Sequence, residues 1–173
     1  MIITGGKYKG RKISAPDESI TRPTLSKVRM GVFNTLYSLI GDCEGKSFLD
    51  MFGGSGLMGL EALSRGFSNV TVFEKNPKAV NVIKKNYSAL NLTLNLLVGD
   101  SLKLIEKIGQ RFDVVYVDPP YMSGIYEEVF GLLKGKAEII IAEHSENINT
   151  GSYELIKTKN YGGKQISFLR DNK

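Results

Sequence analysis

One cysteine, Cys43, and one histidine, His144, are all that 173 residues contain of either type. A single thiol excludes an intrachain disulfide and points to a reducing compartment. Cys43 stands in the polar link Gly41-Asp42-Cys43-Glu44-Gly45 with no partner nearby for nucleophilic chemistry, and reads as a bystander. The lone histidine follows a strand and reads as structural or as a solvated loop residue, and its neighbour Glu143 takes no role; no metal is expected. No apolar run is long enough to cross a bilayer, and Met1-Ile2-Ile3-Thr4-Gly5 lacks a signal peptide's basic-then-apolar plan. No membrane association and a cytoplasmic location are therefore expected. Repeats and low-complexity runs are missing too. What remains is a length that suits one domain with its own core, expected as a monomer with a basic extension over 1–40 on a main body over 41–173.

Charge is short in one place and concentrated in another. Residues 1–30 carry Lys7, Lys9, Arg11, Lys12, Arg22, Lys27 and Arg29 against only Asp17 and Glu18, which equals the whole chain's net charge of +5. Such asymmetry points to a polyanion docking at the N-terminal end, against the plainer reading of a solvated basic surface. Two short strands, Met1–Thr4 and Arg11–Ser14, are expected around Gly5-Gly6-Lys7-Tyr8-Lys9-Gly10. Tyr8 among Lys7, Lys9 and Arg11 is an aromatic interleaved with cations, as in nucleic-acid grooves. After a loop at Pro16-Asp17-Glu18-Ser19, Thr21-Arg22-Pro23-Thr24 leads into a helix that Thr24 or Ser26 caps. Val28, Val32, Phe33, Leu36 and Ile40 form its apolar face, leaving Lys27, Arg29 and Asn34 for the others.

The centre of the chain is Phe48-Leu49-Asp50-Met51-Phe52-Gly53-Gly54-Ser55-Gly56-Leu57-Met58-Gly59, a strand running through a glycine turn into a helix. Gly66 suits that helix's C-terminal end. Strands follow at Asn69–Phe73, Leu94–Val98, Phe112–Val117 and Ala137–Ala142, separated by helices from Pro77, around Leu102–Ile108 and over Tyr126–Leu133. This alternation argues for a doubly wound α/β parallel sheet with helices on both faces. The stretches Tyr153–Lys159 and Gln165–Leu169 have no helix between them, so they are expected as a C-terminal hairpin that brings one antiparallel strand into the sheet.

Gly54-Ser55-Gly56-Leu57-Met58-Gly59 matches the dinucleotide pattern, with Glu74 placed for a ribose. Three features favour S-adenosylmethionine instead. Asp50 before the loop would repel a pyrophosphate and attract a sulfonium and an ammonium. Asp50, Glu74, Asp100 and Asp118 put an acid at the end of each of the first four strands, the edge where open parallel sheets bind ligands. The terminal hairpin replaces a second mononucleotide-binding half. Carboxylates at strand ends can also serve merely as helix caps, which explains one of them readily and four poorly.

Asp118-Pro119-Pro120-Tyr121 closes the fourth strand. Two prolines remove two N–H donors and fix a rigid turn, leaving a carboxylate and a carbonyl as paired acceptors for an amino group. Tyr121 offers a stacking ring worth about 1–3 kcal/mol per base. The alternative is an ordinary Pro-Pro turn with a surface tyrosine. The motif suits methylation of an exocyclic amine by direct displacement, with alignment and electrostatics as the main contributions.

Thr4-Gly5-Gly6-Lys7-Tyr8-Lys9-Gly10-Arg11-Lys12, Arg22-Pro23-Thr24, Val28-Arg29, Asp50 to Gly56, Gly59 to Gly66 and Asp118 to Tyr121 together resemble the RsmD-type 16S rRNA guanine-N2 methyltransferases over nearly the whole chain. The resemblance implies a Rossmann-like class I methyltransferase fold with a mostly parallel seven-stranded sheet. It also implies methylation of a guanine N2 in 16S rRNA of the small ribosomal subunit, with S-adenosylmethionine as donor. Asp50, Phe52, Gly53, Gly54, Ser55, Gly56, Glu74, Lys75, Asp100, Ser101 and Asp118 would line the cofactor. Asp118, Pro119, Pro120 and Tyr121 would hold the base, and Lys7, Tyr8, Lys9, Arg11, Lys12, Arg22 and Arg29 the RNA. The chain departs from the family at Gly54, where alanine is commoner, and matches only loosely after Ala142. Competing readings are a DNA adenine-N6 or other amino-group methyltransferase, an NAD-dependent oxidoreductase, and a catalytically silent RNA-binding module.

Overall fold

A computed structural model describes residues 1–16, 24–120 and 124–172. Asp17, Glu18 and Ser19 of the expected loop, with Thr21, Arg22, Pro23 and Tyr121, lie outside the described residues. The described elements are α1 Ser26–Ile40, β1 Ser47–Asp50, α2 Leu57–Ser64, β2 Asn69–Glu74, α3 Pro77–Ala89, β3 Asn95–Val98, α4 Ser101–Lys107, β4 Phe112–Val117, α5 Ile125–Leu133, β5 Ala137–His144, β6 Glu154–Tyr161 and β7 Lys164–Arg170. Their strands form one sheet in the order β3-β2-β1-β4-β5-β7-β6. β1 to β5 run parallel, and β7 enters antiparallel between β5 and β6. This is the mostly parallel seven-stranded sheet with a terminal hairpin that the alternation and the resemblance imply.

Side-chain alternation along the central strands sorts the core onto two faces. Phe48, Val72, Val114, Tyr116, Ile139 and Ile141 pack with Val28, Val32, Phe33 and Leu36 of α1, Leu60 of α2 and Ile83 of α3. Their strand neighbours Leu49, Phe73, Val115, Val117 and Ile140 pack with Ile105 of α4 and Val129, Phe130 and Leu133 of α5. A strand covered on both sides has no polar face, so all four residues of β1 are buried, Asp50 included. Cys43 is buried under the first of these faces, which pushes its thiol upward and fits a bystander.

Helix ends differ from expectation where the sequence offered several caps. Asn76 accepts from the amides of Lys78 and Ala79 ahead of Pro77, and Asp100 accepts from those of Leu102 and Lys103. Neither Thr24 nor Ser26 caps α1; Leu25 takes that position without a side-chain bond, and Ser26 Oγ accepts from Arg29. The N-terminal strands shrink to one bridge, Ile2 with Lys12, extended by Ile13 N–H to Met1 O and Gly10 N–H to Ile3 O. β5 runs two residues past Ala142, because Glu143 and His144 pair with Ile166 and Gln165. Among the described residues no helix is long and apolar enough to cross a membrane.

Candidate active site

The glycine loop is shaped by close packing. Gly53 donates its N–H to Phe73 O at 2.8 Å, and a Cβ there would run into Val72 Cγ1. Gly54 and Gly56 have φ of +54° and +72°, the left-handed region in which glycine is unstrained. An alanine at position 54 would meet that geometry at a cost of about 1–2 kcal/mol. Gly56 N–H closes the turn on Gly53 O, and α2 then starts at Leu57. Gly59 N–H goes to Asp50 Oδ2 at 3.3 Å. No described acceptor takes the amides of Leu57 or Met58, and both residues line the cleft above the loop. Those two N–H groups are available to a ligand.

Strand register gathers the acids. Asp50 is level with Val72 of β2 and Tyr116 of β4, so Glu74 and Asp118 stand two residues beyond it on either side. Glu74 is level with Val98, which places Asp100 two residues further on. All four line one cleft of about 1110 Å³, together with Phe52, Gly53, Gly54, Ser55, Lys75 and Ser101. That volume exceeds the roughly 300–1,000 Å³ of a single small-molecule site, leaving room for a cofactor and a base. Gly56, the remaining loop glycine, lies behind the cleft lining against Ile83 and Tyr87.

Three of the four carboxylates also serve the backbone. Glu74 accepts from Gly54 and Asn76 N–H, each at 2.7 Å, and so ties the loop to the start of α3. Asp100 caps α4 through Oδ1, leaving Oδ2 for other donors. Capping therefore holds for Asp100 without excluding a ligand. Burial pushes Asp50 up to about 8, opposed by the Gly59 amide and reinforced by the Asp118 and Glu74 charges. It raises Asp118 to about 6, with Lys164 opposing. Asp118 accepts no hydrogen bond from a described residue, and it lines the cleft.

Beyond Asp118 the cleft continues into groups that the sequence left unassigned. Val117 pairs with Ala142, so Asp118 is level with Glu143 of β5. Glu143 accepts from Tyr116 Oη at 2.6 Å and forms an ion pair with Lys164 of β7. Tyr126 on α5 donates to the Glu143 carbonyl. The signal for Glu143 was the one that singled out the other acids, a carboxylate closing a strand, extended to a fifth strand. His144 ends β5, is buried and borders the far end of the cleft. Its Nδ1 donates to the Glu146 carbonyl at 2.6 Å, and its Nε2 lies 2.8 Å from Ser167 Oγ.

The family model described as conserved hypothetical protein 95 matches residues 1–170. Ribosomal RNA small subunit methyltransferase D of Escherichia coli (strain K12) is 35% identical over 133 residues, covering 76% of this chain and 66% of that protein, just under two thirds of its length. This chain belongs to the RsmD-type family. The solved structure of Escherichia coli yhhF matches it with a TM-score of 0.86 at 27% identity, covering 100% of this chain and 99% of that one. A Pyrococcus abyssi tRNA (uracil-54, C5)-methyltransferase, solved with S-adenosyl-L-homocysteine, shares the fold alone. Its TM-score is 0.67 at 21% identity, over 86% of this chain and 40% of that one. In this class I methyltransferase sheet β7 enters antiparallel beside β5, which leaves the dinucleotide reading its glycine pattern and Glu74.

In this RsmD-type chain the N-terminal segment is moored to the helix behind the glycine loop. Glu61 of α2 accepts from Thr4 N–H at 2.6 Å, and Ser64 Oγ accepts from Tyr8 N–H at 2.9 Å while donating to Gly5 O. Gly6 packs so tightly on the Ser64 carbonyl that no Cβ fits. Further along, Asn86 of α3 holds both Ser14 and the Ser55 carbonyl, bringing the segment back to the loop. Lys7, Lys9, Arg11 and Lys12 are exposed, whereas the Tyr8 ring is half-buried against the core with Lys7 Nζ 5.4 Å from its centre. Arg29 corrects the expected RNA-binding set. It is 2% exposed and pairs with Glu61 at 3.3 Å, donating also to the carbonyls of Ile2 and Thr24. A charge so enclosed has no surface to offer a phosphate.

Proposed function

We propose that this chain is an S-adenosylmethionine-dependent methyltransferase that modifies the exocyclic N2 amine of a guanine in 16S rRNA of the small ribosomal subunit. The observation that carries the reading is the opposition, in one cleft, of the glycine loop with Asp50, Glu74 and Asp100 to the acceptors of Asp118-Pro119-Pro120. The residues fit the donor. Asp50 and the free amides of Leu57 and Met58 suit its ammonium and carboxylate, Glu74 its ribose hydroxyls, and Asp100 and Ser101 its adenine side. When bound, S-adenosylmethionine supplies an electrophilic methyl group.

The chain's own part is alignment. Asp118 and a carbonyl of the Pro119–Pro120 turn accept the two N–H bonds of the amine, which turns the nitrogen lone pair towards the methyl carbon. Asp118, largely ionised at neutral pH, offsets the positive charge that builds on nitrogen as the C–N bond forms and the C–S bond breaks. The nitrogen then loses one proton to Asp118 or to water. The exposed Lys7, Lys9, Arg11 and Lys12 supply phosphate contacts, in line with the small-subunit rRNA substrate in the Escherichia coli relative's name. The test is transfer of labelled methyl groups to undermethylated small subunits, free rRNA and duplex DNA, followed by nucleoside analysis. Label in N2-methylguanosine from small-subunit RNA is expected. Label in N6-methyladenine, or no label with any substrate, overturns the proposal.

A further inference from the structure

The cluster Tyr116–Glu143–Lys164 borders the cleft beside Asp118 and has no part in aligning the amine. The Glu143 side chain is 1% exposed, yet both its oxygens are engaged, one by the Tyr116 hydroxyl at 2.6 Å and one by the Lys164 ammonium. Truncating one partner of such a pair leaves the other as an uncompensated charge beside the cleft. Tyr116 lies two residues before Asp118 on β4, and Glu143 stands level with Asp118 on β5. Lys164, whose side chain is 26% exposed, lies two residues before Ile166, the β7 partner of Glu143. Its ammonium has three N–H donors; one meets Glu143, and the others are available to the cleft that it lines.

Resting on the guanine reading above, we propose that Lys164, oriented by Glu143 and Tyr116, selects the base by reading the edge beyond the amine. A guanine edge presents in sequence the N2 amine, the N1–H donor and the O6 acceptor. Asp118, Glu143 and Lys164 present in the same sequence an acceptor, an acceptor and a donor. An adenine or cytosine amine held at Asp118 would instead turn a ring-nitrogen lone pair towards the Glu143 carboxylate. Acceptor would face acceptor, and a site built of hydrogen-bonding groups rejects such a mismatch strongly. Lys164 and the Glu143 carboxylate touch the substrate in this arrangement, while Tyr116 acts as a positioning residue through Glu143.

The probe is a small-subunit particle reconstituted with RNA bearing either guanine or 2-aminopurine at the nucleotide marked in the transfer experiment. 2-Aminopurine keeps the amine but lacks O6 and N1–H. The wild-type protein should prefer guanine by roughly 10–100-fold in kcat/KM, the scale of one good bidentate base contact. In Lys164→Met/Glu143→Gln, which leaves no unpaired buried charge, that ratio should fall to within about threefold of one, with S-adenosylhomocysteine binding retained as the check on folding. Tyr116→Phe should lower the ratio less. An unchanged ratio in a double variant that still binds S-adenosylhomocysteine overturns the role of Lys164 while leaving the guanine reading intact. A wild-type protein that methylates guanine and 2-aminopurine equally overturns it too. Absence of guanine methylation in the wild-type particle instead sinks the reading on which it rests.

Discussion

The guanidinium of Arg29 lies 3.3 Å from the carboxylate of Glu61, and the two side chains are 2% and 0% exposed. Glu61 also receives Arg65 at 3.2 Å and the Thr4 amide at 2.6 Å. One carboxylate therefore joins α1, α2 and the N-terminal segment, and its removal strands a buried cation. Glu61→Ala is expected to destabilise the fold by about 3–5 kcal/mol, the cost of breaking a buried pair. Urea unfolding of Glu61→Ala, Arg29→Ala and the double variant measures it. A double variant no worse than either single one is the coupling this geometry demands; additive losses would show that the two act separately.

Exposure separates the other N-terminal cations from Arg29. Lys9→Glu and Arg11→Glu together should weaken RNA binding and reduce the slope of log K against log salt by about 0.7–0.9 for each phosphate no longer neutralised. Thermal stability should not move, because neither side chain is buried. Filter binding at several salt concentrations decides this. An unchanged slope would make the segment ordinary surface.

How legible these features were depended on the range of the interaction. The fold followed from local patterns: two-sided apolar strands such as Phe112–Val117, amphipathic helices, and a helix-free stretch that closes as β6 and β7. The loop and its acids were legible because strand ends are local and the parallel register aligns them. Arg29 was not. Its helical position left it off the apolar stripe, and only a partner 32 residues away explains why it turns inward. The pairing of Glu143 with Lys164 was hidden similarly, since a contact between the antiparallel neighbours β5 and β7 leaves no mark in either strand, although Glu143 closes its strand as the other acids do. Glu61 lay in a motif that matched the family, but a charge within an otherwise apolar helix was itself a sign of burial.

Tyr87 reaches from α3 under the glycine loop, and its hydroxyl is buried without a partner among the described residues. A Cβ at Gly59 would collide with that oxygen. Tyr87→Phe removes an unsatisfied group and is expected to stabilise the protein by about 1–3 kcal/mol. Chemical denaturation reads the change. A loss of stability of the same size would mean that the hydroxyl has a partner after all.

In the proposed donor site, Asp50 is expected to couple binding to pH. Its folded pKa of about 8 lies above the ordinary carboxylate value, so in the free protein it is mostly neutral at pH 7 and becomes charged as pH rises through 8. A cationic ligand prefers the charged form, so binding expels a proton and tightens with pH. The ligand's own amino group loses its charge above about 8, so affinity should peak there. Calorimetry with S-adenosylhomocysteine from pH 6 to 9, in buffers of different ionisation enthalpy, measures both affinity and proton release. Asp50→Asn should bind more weakly and without proton release. A wild-type affinity that is flat between pH 6 and 8 would remove Asp50 from the ligand's ammonium.

Under the same proposal, Asp118 is expected to govern the other half of the pH profile. With a pKa of about 6, it is an acceptor above that pH and protonated below it. Under single-turnover conditions with bound donor, transfer should therefore fall about tenfold per pH unit below 6. In Lys164→Met the limb should move to higher pH, since the ammonium that opposes burial is gone. Asp118→Ala is expected to lose transfer by at least about 100-fold, the scale on which removing one aligned electrostatic group acts, while S-adenosylhomocysteine still binds. Lost binding of that ligand with residual transfer would place Asp118 with the cofactor instead of the base. The acid limb and the binding measurement together separate those assignments, because only a carboxylate that holds the amine controls the chemical step without controlling occupancy of the loop.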